Sequence, residues 1–244
     1  MRRHWKKIVI GLGVLVALVL GGSFVYAKLI NKADAALSQN DVNSRLDATT
    51  TTGAGAAPAA TDPPRPAGAT TTVDGTWQIA AASEVGYRVN ESINGFKTTA
   101  NGRTQSITGS FVIAGAKATS GQWTVDMTTF HSDESRRDGQ FNGRVMDVAQ
   151  FPTSKFTLTS PIDFGGTPAE GGSVKVKATG DLTLHGTTKS VTFDLTATWK
   201  NGRIGVLGNI PVVFADYGIP NPSRATIATD DHGLLEFVLI FSRG

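Results

Sequence analysis

The chain has 244 residues, 40% of them hydrophobic, no cysteine and a formal net charge of +3. Without cysteine there can be no disulfide, thiolate metal site, cysteine nucleophile or lipidated N-terminal cysteine. Residues 1–72 hold eight Lys and Arg against four Asp, which leaves −1 for the remainder, so the charge excludes a basic nucleic-acid footprint on the folded part.

Residues 1–7 form a basic tail with Arg2, Arg3, Lys6 and Lys7, and residues 8–27 are an uncharged apolar run from Ile8 to Ala27. About 20 residues at about 1.5 Å each span a hydrocarbon core, and the basic cluster should stay cytoplasmic. The expected element is a single-pass transmembrane anchor. Its rival is a cleaved signal peptide, because Val25-Tyr26-Ala27 offers small residues at a cleavage position and Gly21-Gly22 could end a shorter apolar core. Both readings put the rest of the chain outside the cytoplasm, either held at the cell membrane or secreted or periplasmic.

Residues 28–72 read as a linker rich in Thr, Ala, Pro and Gly. From Asp47 to Thr72 the prolines Pro58, Pro63, Pro64 and Pro66 block helix and sheet, so a disordered tether is expected. Ala33, Ala36 and Leu37 have helical spacing, which leaves a short juxtamembrane helix open. As a flexible coil the whole linker would reach roughly 35 to 40 Å.

From residue 73 to 244 the hydrophobic period is two, as expected of half-buried strands. Trp77 and Ile79 alternate with polar neighbours, as do Val85, Tyr87 and Val89, then Phe111 and Ile113, then Trp123, Val125 and Met127. Val174, Val176, Ala178, Gly180, Leu182 and Leu184 form one face; Val191, Phe193, Leu195, Ala197 and Trp199 oppose it across a His185-Gly186 turn. Asn201-Gly202 marks another hairpin before Arg203 to Phe214, and Leu235 to Ser242 closes the chain. Phe141, Val145 and Val148 at i, i+4 and i+7 predict a short helical insertion over about Ser135 to Val148. About eight strands result. Pattern alone leaves a barrel and a two-sheet sandwich open and slightly favours the sandwich.

The stretch Ala178 to Lys189 carries a Gly-x-Leu-Thr-hydrophobic-His-Gly-x-Thr-Lys hairpin, flanked by Trp77-Gln-Ile79, Val85-Gly-Tyr87, Gly109-Ser-Phe111, Arg137-Asp138 and Phe151-Pro152. As an ordered set these resemble the YceI-like family of exported, lipocalin-like polyisoprenoid-binding proteins. One departure is Gly139-Gln140-Phe141 after Arg137-Asp138, where the family usually has a bulky pair. The resemblance implies an all-β, lipocalin-like antiparallel barrel with an elongated apolar interior. Its cavity lining is then expected from Tyr87, Val89, Phe111, Phe141, Phe151, Phe156, Leu158, Phe193, Leu195, Trp199 and Phe214, although any all-β core also needs such residues. The implied ligand is a quinone, polyprenyl phosphate or similar long apolar lipid, with no cofactor; homodimerisation stays open. Burying one CH₂ contributes about 0.8 kcal/mol, so a prenyl chain binds without an ionic clamp.

Catalysis is the opposing reading. His131, Ser132 and Asp133 have the residue types of a triad, but successive strand residues point to opposite faces, and no Gly-x-Ser-x-Gly elbow is present. His131, His185 and His232 lack partners at metal-ligand spacing. No enzyme activity and no metal are expected. A tethered protein-interaction or stress-response module without lipid is the remaining alternative.

Overall fold

The computed structural model describes residues 33–48 and 72–244, together with Val16, residues 19–22 and Val25. Most of the apolar run at 8–27, and the stretch at 49–71, therefore lie outside the described residues. Among the described residues no helix is long and apolar enough to cross a membrane. Val16, Val19, Leu20 and Val25 are helical and exposed.

Twelve strands follow: β1 Gly75–Ile79, β2 Glu84–Ile93, β3 Phe96–Thr104, β4 Ile107–Ala114, β5 Lys117–Asp126, β6 Thr153–Leu158, β7 Ile162–Asp163, β8 Ser173–Leu184, β9 Thr187–Lys200, β10 Arg203–Val213, β11 Ile227–Thr229 and β12 His232–Arg243. Eight of them close an antiparallel barrel in the order β1-β4-β5-β6-β8-β9-β10-β12, and β12 returns to β1 through Trp77↔Arg243 and Ile79↔Phe241. That closure decides between barrel and sandwich. The first half of β12 pairs instead with β2, from Leu234↔Arg88 to Val238↔Glu84, and β2 carries β3 and β11. The barrel wall is thus extended at one end by the β2–β3 hairpin.

Local chemistry sets the hairpins. Asn94-Gly95, His185-Gly186 and Asn201-Gly202 all have positive φ at both residues, the condition for two-residue turns that match strand twist. The β8–β9 register runs Val176↔Leu195, Ala178↔Phe193 and Gly180↔Val191, which places the alternating apolar sets opposite one another. The helical insertion is α-helix α2, Ser135–Gln140, continued by a π-helical turn over Phe141–Val145 that the period-3.6 pattern does not anticipate.

Within the segment read as linker lies α1, Gln39–Asp47, seated on the outside of the barrel. Its residues Val42 and Leu46, one turn apart, are fully buried against Val238 and Ile240 of β12, with Leu37, Ala80, Ala82 and Leu207 around them. Close approach requires Gly205: a Cβ there would stand 2.4 Å from Val42 Cγ1. The Asp41 carboxylate caps the helix by accepting from the Ser38 N–H at 2.8 Å and the Ser38 hydroxyl at 2.6 Å. Beneath the start of this strap Glu236, 1% exposed, accepts from Arg88 at 3.2 Å, Arg103 at 3.1 Å and the Leu37 N–H at 3.3 Å. Arg45 reaches Glu84 at 2.6 Å, and Arg103 joins Glu84 to Glu236. A buried carboxylate is tolerated only when paired and hydrogen-bonded, and this one is.

Candidate ligand cavities

The inward faces of the strands do not fill the barrel. At the end carrying the β4–β5 and β9–β10 turns lies a cavity of about 390 Å³, walled by Phe111 and Ile113 of β4, Trp123 of β5, Phe156 and Leu158 of β6, Leu195 and Trp199 of β9, and Phe241 of β12. At the opposite end, against α2 and the π turn, lies a second cavity of about 310 Å³. Tyr87 and Val89 of β2, Phe130, Phe141, Val145, Met146 and Phe214 wall it. Both volumes fall in the range of small-ligand pockets.

The two cavities share no lining residue. Between them stands a layer of rings. Trp123 stacks on Phe156 at 4.4 Å, Phe156 meets Phe193 edge-on at 5.5 Å, Phe193 meets Phe237 at 5.9 Å, and Phe237 returns to Trp123 at 6.1 Å. Glycines give these rings their space: a Cβ at Gly208 would lie 2.3 Å from the Phe237 ring, and one at Gly180 would lie 2.3 Å from that of Phe156. Along β12 the inward residues state the division plainly, with Phe241 and Leu239 in the first cavity, Phe237 in the plug and Leu235 in the second.

Of the eleven residues expected to line a cavity, Phe111, Phe156, Leu158, Leu195 and Trp199 meet at the first and Tyr87, Val89, Phe141 and Phe214 at the second. Phe193 lines neither and forms part of the plug. Phe151 lies away from both cavities: its ring packs on His185 at 4.6 Å and on the turn at Gly186. Trp123, Phe130 and Phe241 are lining residues that the expected set omits. Trp123 had a signal, since it begins the alternating run Trp123, Val125 and Met127.

The polar groups divide in the same way. Trp199 is 8% exposed, and its indole N–H, a donor only, has no hydrogen-bond partner. In the second cavity Tyr87 stacks on Phe141 at 4.8 Å, and burial pushes its hydroxyl well above the usual tyrosine range. Arg137, beside it, is paired to Asp133 and lies 4.0 Å from Glu91. The Asp138 carboxylate accepts instead from Ser132 N–H at 2.9 Å and Ser132 Oγ at 2.6 Å. His131 Nδ1 lies 3.4 Å from the Thr129 carbonyl, so His131, Ser132 and Asp133 serve three separate contacts. His185 Nδ1 approaches the Tyr217 carbonyl at 3.2 Å and ties its hairpin to the turn after β10.

Residues 77–241 match the YceI-like domain. A UPF0312 protein of Pseudomonas fluorescens (strain SBW25) is 33% identical over 133 residues, covering 50% of this chain and 66% of that one. The chain spans between half and two thirds of the length of the first such curated relatives. Among solved structures, a polyisoprenoid binding domain from Saccharophagus degradans implicated in plant cell wall breakdown superposes with a TM-score of 0.57 at 19% identity, covering 70% of this chain and 99% of that chain. Burkholderia cenocepacia BcnA superposes at 0.53 and 22% identity, covering 66% and 98%. Both have the same barrel fold.

Proposed function

The chain belongs to the YceI-like family, and from that premise we propose that it is a membrane-tethered, extracytoplasmic protein that sequesters or carries a polyisoprenoid such as a quinone or polyprenyl phosphate. The observation that carries this reading is apolar space left open inside a closed barrel, at both ends. An interior meant only to be a core packs to crystal-like density, so cavities of this size walled by aromatic and branched side chains call for an apolar guest. The solved domain from Saccharophagus degradans, described as polyisoprenoid-binding, has the same fold and supports the choice of lipid class.

Binding is hydrophobic burial, at about 0.8 kcal/mol per CH₂ before ordering costs. A chain longer than one cavity must turn the Phe193 and Phe237 rings aside. The basic tail and the apolar run at 8–27 support retention at the membrane with the barrel outside the cytoplasm.

The test is native mass spectrometry with organic extraction of the protein exported from a bacterial host. A stoichiometric isoprenoid is expected. A fatty acid or amide would overturn the isoprenoid assignment and keep a lipid carrier. A bare mass, unchanged after incubation with quinones and polyprenyl phosphates, would leave a tethered protein-interaction module without lipid.

A further inference from the structure

Residues 33–48 change how the barrel can stand relative to the apolar run before them. They are bonded to the barrel along their length. The Asp34 carbonyl accepts from Arg88 at 2.8 Å, Ala35 from Arg103, and the Leu37 N–H donates to Glu236. Val42 and Leu46 are buried on β12, Lys200 pairs with Asp47 at 2.6 Å, and Arg203 holds the Ala48 carbonyl at 2.8 Å. After the stretch 49–71 the chain is fixed again, with Arg243 donating to the Thr72 carbonyl and Gly115 N–H to the Asp74 carboxylate. Both ends of that Thr, Pro and Gly-rich stretch are therefore held on the barrel, at the end where the β4–β5 and β9–β10 turns lie. It does not set the distance to the bilayer.

What does set it is the short piece between Ala27 and Asp34. Seven peptide steps reach about 25 Å at most. Asp34 is held at the level of Arg88, whose partner on β12 is Leu234. From that level the β2–β3 turn after Ile93 is about 17 Å away along β2. The β9–β10 turn lies beyond Phe241, the partner of Ile204, more than about 23 Å in the other direction. The strap enters from the side of the β2–β3 turn and leaves at the β9–β10 turn. Outside residues 16–25, the large exposed apolar side chains among the described residues are Val213 and Leu234, and both belong to the end where the strap enters.

We propose that the strap stands the barrel on the outer leaflet with the mouth of the second cavity, whose wall includes Leu234, against the lipid surface, and turns the Trp199 cavity away from it. Lipid then enters beside Tyr87 and Phe141. The proposal rests on the reading of residues 8–27 as a retained anchor.

The absence of cysteine makes the test direct. Ala225→Cys near the second cavity and Thr167→Cys at the rim of the first, both exposed positions, are labelled with a fluorophore in the full chain. The protein is reconstituted into phosphatidylcholine vesicles containing head-group spin-labelled lipid. Quenching several-fold stronger at Ala225→Cys than at Thr167→Cys is expected. Gly205→Val, which unseats α1 without touching the inner face of β10, should level the two signals, because the barrel then hangs on a coil reaching roughly 35 to 40 Å. Equal quenching of vesicle-bound protein with the strap intact, or stronger quenching at Thr167→Cys, overturns the orientation and leaves the anchor standing. Recovery of the chain in the soluble fraction overturns the anchor and the orientation together.

Discussion

At the scale of single residues, the donor of Trp199 and the ring of Phe237 make opposite demands. A buried N–H without a partner is a standing penalty of about 1–3 kcal/mol. Trp199→Phe should therefore leave the ligand-free barrel as stable as before or more so, read from a denaturant titration. Phe237→Ala removes a core ring and should cost about 3–5 kcal/mol in a denaturant titration. It should also join the two cavities and shift binding toward longer prenyl chains across a series of chain lengths. An unchanged length preference would show that the plug is not the length stop. Glu236 sets a different kind of constraint, since its burial is tolerable only while Arg88 and Arg103 face it. Arg103→Leu should destabilise by about 3 kcal/mol, measured by thermal unfolding at neutral pH.

At the scale of elements, α1 is a nine-residue helix that would not hold alone in water. Tertiary contact sustains it: Leu46→Ala should cost about 2–5 kcal/mol, and Gly205 leaves the space in which it sits. Its cap is sensitive to acid. The hydrogen bonds from Ser38 hold the Asp41 carboxyl below the ordinary aspartate range. A depressed folded pKa means that the contribution is complete above the unfolded value, near pH 4, and is lost as pH falls below it. Amide protection factors at residues 39–47 should therefore fall below about pH 4 before the barrel strands lose protection. The second element with its own logic is the α2 segment. Phe141 and Val145 do turn toward the interior as their spacing suggests, but through a π turn in which Met146 N–H bonds the Phe141 carbonyl at 2.8 Å. That extra residue per turn brings Met146 into the same cavity wall.

At the scale of the whole molecule, the barrel and its strap form one packed unit, so a protein beginning at Val73 should be less stable than one beginning at Ala33. Exposing Val238 and Ile240 and losing Leu37, Val42 and Leu46 should lower stability by at least about 2 kcal/mol, read from denaturation midpoints of the two proteins. This dependence had one trace in the sequence. Leu234 to Phe241 is apolar apart from Glu236, a run suited to a strand covered on both faces and not to one with a solvated side. Read alone, the strap is short, polar and flanked by helix-blocking composition, so nothing local announces it. The sequence by itself determined what depends on near neighbours: inward and outward faces from the period of two, the turns at His185-Gly186 and Asn201-Gly202, and the opposed apolar sets of β8 and β9. Tertiary structure alone decided the closure of β12 on β1, the height of each inward ring along the barrel axis and the covering of β12 by α1. Those depend on strand register and on contacts between residues as far apart as Val42 and Ile240. That is why Phe193 and Phe111, alike in the sequence as inward aromatic residues, became a plug and a wall.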